Sequence, residues 1–491
     1  VADLIFVALL AVIVFTPLSV RLLGDAGTGW HIRTGQQILA THAIPRTDPF
    51  SSTMAGKPWF AWEWLYDLIV GQLDASLGLN GVVWFNAVVI AAVFAWCFRL
   101  LLRRGADIPV AIVLVLLAVS ASMIHFLARP HVVSWLFTLA WFAILDASER
   151  DGSSQHNLWV LPLLMLVWAN VHGGFLIGFV LLAIFWLSTL WTWFTANGSR
   201  LEEALQKIAA RRTVLYLSVV SVLSVAASLL NPYGWRLYGH VYGYLSNRFL
   251  MDHIEEFRSP DFHGVAQKCF LALLLITLAA FAARGRQLRL SGVLTALFAT
   301  YAGLYASRNI PVSSILLVMV AAPLSTLPLA RRFSEKMAAV ESTLRGHLWP
   351  VTAILLTLLI AAIGGRAGSA QLMNAHFSPN RMPVAAVDYL LQSHKPGPVL
   401  TADYWGGYLI YRLYPKAQVV VDDRHDLYGD EFFKSYLKMI RLEPGWEQFL
   451  ADHPAGSVIL PRDAALTSML RTSSNWKQVY GDEVAVVFEK Q

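Results

Sequence analysis

Residues 81–104 read GVVWFNAVVIAAVFAWCFRLLLRR. An almost unbroken apolar run of about 20 residues is what a helix needs to cross the hydrocarbon core of a bilayer. Arg99, Arg103 and Arg104 at its end form the basic flank that marks a cytoplasmic loop. The pattern recurs on both sides. Apolar runs cover 3–23, 81–102, 108–127, 131–147, 157–171, 173–194, 212–231, 267–284, 290–306, 309–328 and 348–366, eleven in all. Composition agrees: 56% of the 491 residues are hydrophobic and 14% charged, against about 25% charged in an ordinary soluble domain. Residues 4–23 lack the basic n-region and small-residue cleavage site of a secretory signal, so a spanning helix is expected there. The segment 59–77 carries Glu63, Asp67 and Asp74 among aromatics and reads as interfacial.

Basic residues recur in every second loop: Arg99 to Arg104, Arg150, Arg200 to Arg212, Arg284 to Arg289, and Arg331 to Arg345. Placing these loops in the cytoplasm puts the N-terminus inside and, after eleven crossings, the C-terminal region outside. The net charge of +6 is thus a topology signal, and no nucleic-acid partner is expected. Cys97 and Cys269 sit in separate apolar runs and form neither a disulfide framework nor a metal motif. The chain lacks a Walker loop, a strand-linked GxGxxG and HExxH, which removes the usual supports for nucleotide hydrolysis and zinc proteolysis.

From residue 370 the charge density rises and the period changes. Short β-branched runs at 398–402, 418–422, 457–460 and 484–488 alternate with helical patterns at 383–393, 430–440, 445–452 and 464–471. This predicts a small α/β domain. Residues 476–480 and 484–488, joined through Gly481-Asp482, read as a hairpin. The expected fold is therefore a polytopic α-helical membrane protein with a C-terminal extracytoplasmic α/β domain. Residues 1–366 form the transmembrane domain with its first outer loop at 24–80, and 370–491 the soluble domain. The loop at 329–347 reads as a helical cytoplasmic linker.

On this topology the polar residues gather on one face. Asp25, His31 and Glu63 lie in the first outer loop, Arg129 and His131 in one outer turn, Asn170 and His172 in another, and Arg308 in a third. Ionisable groups at membrane depth are costly, so such a convergence points to function. Asp25 could act as a general base or cap the helix that follows. His31 could bind a metal or phosphate, or hydrogen-bond Asp25. Arg129 and Arg308 could clamp a phosphate through their forked donors, or pair with Asp25, Glu63 or Asp261. His172 could line a cavity, or its Gly173-Gly174 neighbours could serve packing. The tryptophans around Glu63 suit the membrane interface and can also stack on sugars or isoprenoids. In the outer domain, Asp403, Tyr404, Trp405, Asp422 and Arg424 are candidates.

The segments GDAGTGWHIRTGQQIL (24–39), IPRTDPFS (44–51) and GKPWFAWEWL (56–65) resemble the first-loop region of bacterial glycosyltransferase-39-like membrane proteins. TADYWGGYLIYRLYPKAQVVVDDR (401–424) is similar in layout to the WWDYG region of oligosaccharyltransferases. Together they resemble the GT-C superfamily, which includes protein O-mannosyltransferases and aminoarabinose transferases. The resemblance implies a GT-C-like fold in the bacterial inner membrane. It also implies transfer of a sugar from a polyprenyl-phosphate-linked donor to a lipid, glycan or protein acceptor. It places the catalytic carboxylate at Asp25, with a divalent metal at Asp25 and His31 as a further implication. Arg129 and Arg308 would contact the lipid phosphate. The alternatives are a transporter or flippase of a lipid-linked glycan, or a non-catalytic polysaccharide-binding scaffold. A transporter is expected to carry its polar groups near the midplane, whereas here they lie at one rim.

Overall fold

The computed structural model describes residues 1–150, 152–196, 201–284, 288–322, 348–393 and 397–491; the linker expected at 329–347 lies outside them. A helix stands at each of the eleven apolar runs. Among the described residues, six helices are long and apolar enough to cross a membrane: Trp64–Arg103, Ile108–His125, His131–Arg150, Gly173–Thr195, Glu203–Ser228 and Val265–Ala283. Shorter apolar helices at Ala2–Phe15, Leu290–Tyr305, Ser307–Ala321 and Leu348–Ala362 accompany them. The bundle packs around fully buried Trp135, Trp141 and Trp168, while Val222, Leu278 and Phe194 stand on its outside, each more than two-thirds exposed. An apolar exterior on this scale suits lipid as solvent.

The expected interfacial segment and the second span form one helix, Trp64–Arg103, broken at Gly78, whose φ of 63° interrupts the α geometry. That kink separates the part that carries Asp67 and Asp74 from a longer part without acidic residues. The first loop folds back as helix Gly27–Thr41 and lies against the start of Trp64–Arg103. The loop that follows Glu203–Ser228 contains the helix Arg236–Ser246, which the sequence reading missed.

The C-terminal region is the expected α/β domain. Its four-stranded sheet runs Val399–Thr401, Ser457–Pro461, Ala485–Lys490, Trp476–Gly481. The first pair is parallel and the others antiparallel, the last being the predicted hairpin. Two expectations are corrected. Residues 418–422 form no regular strand: Val419 makes isolated bridges to Ser51 and Val399, so this segment joins the first loop to the sheet edge. Residues 403–413, given no helix by the sequence reading, form helix Asp403–Leu413, which packs on Gly27–Thr41. The helices cross at glycines. A Cβ on Gly29 would lie 2.3 Å from the Gly407 carbonyl oxygen, and one on Gly407 would lie 2.4 Å from that of Ala26. This contact seats the C-terminal domain on the first loop.

Candidate active site

A cavity of about 410 Å³ lies where the first loop, the bundle and the C-terminal domain meet. Trp30, Trp59, Glu63, Arg129, His131, His172, Glu256, Arg308 and Asp423 are among its lining residues. Aromatic walls with a few convergent charges are the usual makeup of a small-molecule site.

Arg129 anchors one side. Its guanidinium pairs with Asp25 from the first loop at 3.0 Å and with Asp423 from the C-terminal domain at 3.3 Å. It lies 5.8 Å over the Trp30 ring. Gly27 makes this crossing possible, since a Cβ there would stand 2.0 Å from the Arg129 guanidinium. Two carboxylates raise the Arg129 pKa further above its ordinary value despite burial. Burial pushes the Asp423 carboxyl up to about 6, although Arg129 pulls it down. The Asp423 Oδ1 is buried without a hydrogen-bond partner. Asp25 also accepts from the Gly27 N–H at 2.7 Å, so it both supports the start of its helix and pairs with Arg129. It touches Arg129 without lining the cavity itself.

Arg308 lines the cavity too and pairs with Glu256 at 3.3 Å, rather than with Asp25, Glu63 or Asp261. It holds the Glu256 carboxyl down at about 2, against the upward push of burial. Glu256 sits in a polar loop with nothing in the sequence to single it out.

Glu63 stands between two histidines, with His31 Nε2 at 3.7 Å from one oxygen and His172 Nε2 at 3.7 Å from the other. His31 Nδ1 meets Asp67 at 2.6 Å, not Asp25 as considered from the sequence. A carboxylate at Nδ1 makes that nitrogen the donor and leaves Nε2 as an acceptor. His172 has the opposite tautomer. Its Nδ1 accepts from the Gly174 N–H at 3.0 Å and faces the Ser134 hydroxyl at 2.8 Å, so the proton sits on Nε2. Neither contact to Glu63 is short enough for a hydrogen bond, and His31 Nε2 is buried without a partner. Burial pushes its pKa up to about 8. Burial likewise keeps His31 and His172 well below the usual histidine range.

Of the remaining candidates, His131 and Arg424 line the cavity and the others do not. His131 Nε2 bonds the His125 carbonyl at 2.9 Å and lines the cavity. Asn170 accepts from the Trp64 indole at 2.8 Å and does not line it. Arg424 is a buried clasp: it binds Asp422 at 2.8 and 2.7 Å and Asp48 of the first loop at 2.8 Å. Asp403 pairs with His425 at 2.9 Å, Trp405 donates to the Arg381 carbonyl at 2.8 Å, and Tyr404 is exposed. None of these last three lines the cavity.

The whole architecture has solved counterparts. The chain is similar to the oligosaccharyltransferase of Archaeoglobus fulgidus in its apo form, with a TM-score of 0.53 at 13% identity, over 94% of this chain and 68% of that one. The same enzyme in complex with Zn and sulfate matches with a TM-score of 0.52 at 11% identity, over the same shares. The fold is GT-C-like. No protein-family model matches the chain, and no curated protein sequence matches it significantly. As for a metal, no group of three or more His, Cys, Asp or Glu among the described residues could hold one. Asp25 is engaged with Arg129 and Gly27, and His31 with Asp67, so the expected ligand pair does not fit an ion as it stands.

Proposed function

We propose that this chain is a GT-C-type glycosyltransferase that moves a sugar from a polyprenyl-phosphate-linked donor to a lipid, glycan or protein acceptor. In this reading it lies in a bacterial inner membrane with eleven crossings, its N-terminus in the cytoplasm and residues 370–491 outside. The alternating basic loops support that orientation.

The observation that carries the reading is the convergence of two arginines with carboxylates from separate segments on one aromatic cavity. In the proposed reaction an acceptor heteroatom attacks the anomeric carbon from the face opposite the phosphate. Its proton goes to Asp25, the bond from the anomeric carbon to the phosphate oxygen breaks, and the electron pair leaves with the polyprenyl phosphate. Arg129 and Arg308 offset the charge that develops on that oxygen; stabilisation of this kind is commonly the largest catalytic contribution. Arg129 keeps Asp423 as a partner while Asp25 turns to the acceptor. Trp30 and Trp59 give the sugar or the first isoprene units a flat apolar wall.

Asp25→Asn removes the proton acceptor while keeping the shape. The expected result is loss of transfer in proteoliposomes, with insertion and melting behaviour retained. Full activity in that variant would remove Asp25 from the mechanism.

A further inference from the structure

A second cavity, of about 250 Å³, opens at the other end of the bundle and is lined by Arg104, Asp146, Glu149, Arg150 and Arg289 with apolar side chains around them. Helix His131–Arg150 contributes to both cavities, His131 to the first and Glu149 to the second. At 1.5 Å per residue the two positions lie roughly 27 Å apart along it, close to the thickness of a hydrocarbon core. The second cavity therefore belongs to the opposite leaflet.

Three guanidinium groups face two carboxylates there. Asp146 takes Arg104 and, at 3.1 Å, Arg150. Glu149 accepts from the hydroxyls of Ser188 at 2.7 Å and Ser291 at 2.5 Å, which satisfies it without a guanidinium. Arg289 stands 3.8 Å from Glu149, beyond hydrogen-bond reach. Arg104 is nine-tenths buried, stacks 5.1 Å over the Phe142 ring, and has a buried Nε with no hydrogen-bond partner. An unmet buried donor is costly. Among the described residues the cluster thus holds three guanidinium groups against two carboxylates, an unmet buried donor on Arg104, and an adjacent space. Forked guanidinium donors match phosphate oxygens in geometry and charge.

We propose that this second cavity binds a phosphate group, carried either by an anionic lipid of that leaflet or by free phosphate, with Arg104 and Arg289 as its principal donors. The site is independent of the reaction at the first cavity.

The test is thermal unfolding of the full chain in neutral detergent at constant ionic strength. Short-chain phosphatidic acid, phosphatidylcholine and inorganic phosphate are titrated separately against the wild type, Arg104→Gln and Arg289→Gln. A saturable rise of the midpoint with phosphatidic acid but not phosphatidylcholine is expected, with affinity at least tenfold weaker in the variants. Saturation by inorganic phosphate as well assigns the site to phosphate itself; saturation by the lipid alone assigns it to a headgroup. Absence of saturable binding, equal response to phosphatidylcholine, or unchanged affinity in the variants overturns the proposal. The Arg289 side chain is half exposed, so Arg289→Gln decides the matter even if Arg104→Gln fails to fold.

Discussion

Glu63 shows how much a single side chain in this cavity depends on its neighbours. Buried with His31 and His172 each 3.7 Å away, its carboxyl is pushed up to about 8 by burial, so it is protonated at neutral pH. In an unfolded chain the same carboxyl ionises near pH 4.5. Between these values the folded protein binds the extra proton, so stability falls as pH rises from about 4.5 to 8. Glu63→Gln keeps the shape without the charge. It should melt close to the wild type at pH 5 and a few degrees higher at pH 9, by thermal unfolding at both pH values. Equal midpoints at both would show that Glu63 ionises freely. At this scale the sequence was partly legible. Arg129 and Arg308 stood out because charge is conspicuous against apolar surroundings, and both reach the cavity. Asn170 stood out for the same reason, yet its side chain serves the Trp64 indole. Glu256 and Asp423 lie in segments already rich in charge, where no contrast marks them.

Between elements, the decisive contact is the crossing of Gly27–Thr41 and Asp403–Leu413. Gly29 and Gly407 let two backbones approach to a distance that a methyl group would prevent. The Arg33 side chain then donates to the Tyr411 carbonyl at 2.8 Å, and the Tyr411 hydroxyl reaches Asp74 at 3.2 Å. Gly29→Val forces the helices apart. The expected cost is about 1–3 kcal/mol, the range found when well-packed contacts are overfilled. Faster cleavage of the C-terminal domain in limited proteolysis should accompany it, and an unchanged cleavage rate would show that the crossing does not seat the domain. Most helices and all four sheet strands were legible because periodicity is a local property. The helix at 403–413 was not, since its glycines and aromatics weaken the pattern that marks a helix. Those glycines are there for the crossing, a reason that exists only once the partner helix is in place. The 418–422 segment misled for the converse reason: its apolar β-branched residues are buried against the first loop and the sheet edge, without the regular ladder that such residues usually join.

Across the whole molecule, the first loop and the C-terminal domain close over one end of the bundle and place five carboxyl groups around Arg129 and Arg308: Asp25, Glu63, Glu256, Asp423 and Asp426. The helix runs and the rim on which polar residues gather could be read from the sequence. The pairing of Asp25 with Asp423 through Arg129 could not, because no local pattern links residues so far apart along the chain. The proposed orientation makes a direct prediction. In a chain with Cys97 and Cys269 replaced by Ser, a membrane-impermeant maleimide added to intact cells should label Lys57→Cys and Glu483→Cys. It should spare Arg103→Cys until the membrane is opened; the reverse pattern would invert the topology. The central claim is that the cavity transfers sugar, and turnover of a radiolabelled polyprenyl-phosphate-linked sugar by the purified full chain in proteoliposomes tests it most directly. The account predicts transfer to an added acceptor, slowed by about 10²-fold or more in Arg129→Gln and in Arg308→Gln. Intact donor recovered after crossing the bilayer, or wild-type turnover in both variants, would contradict it.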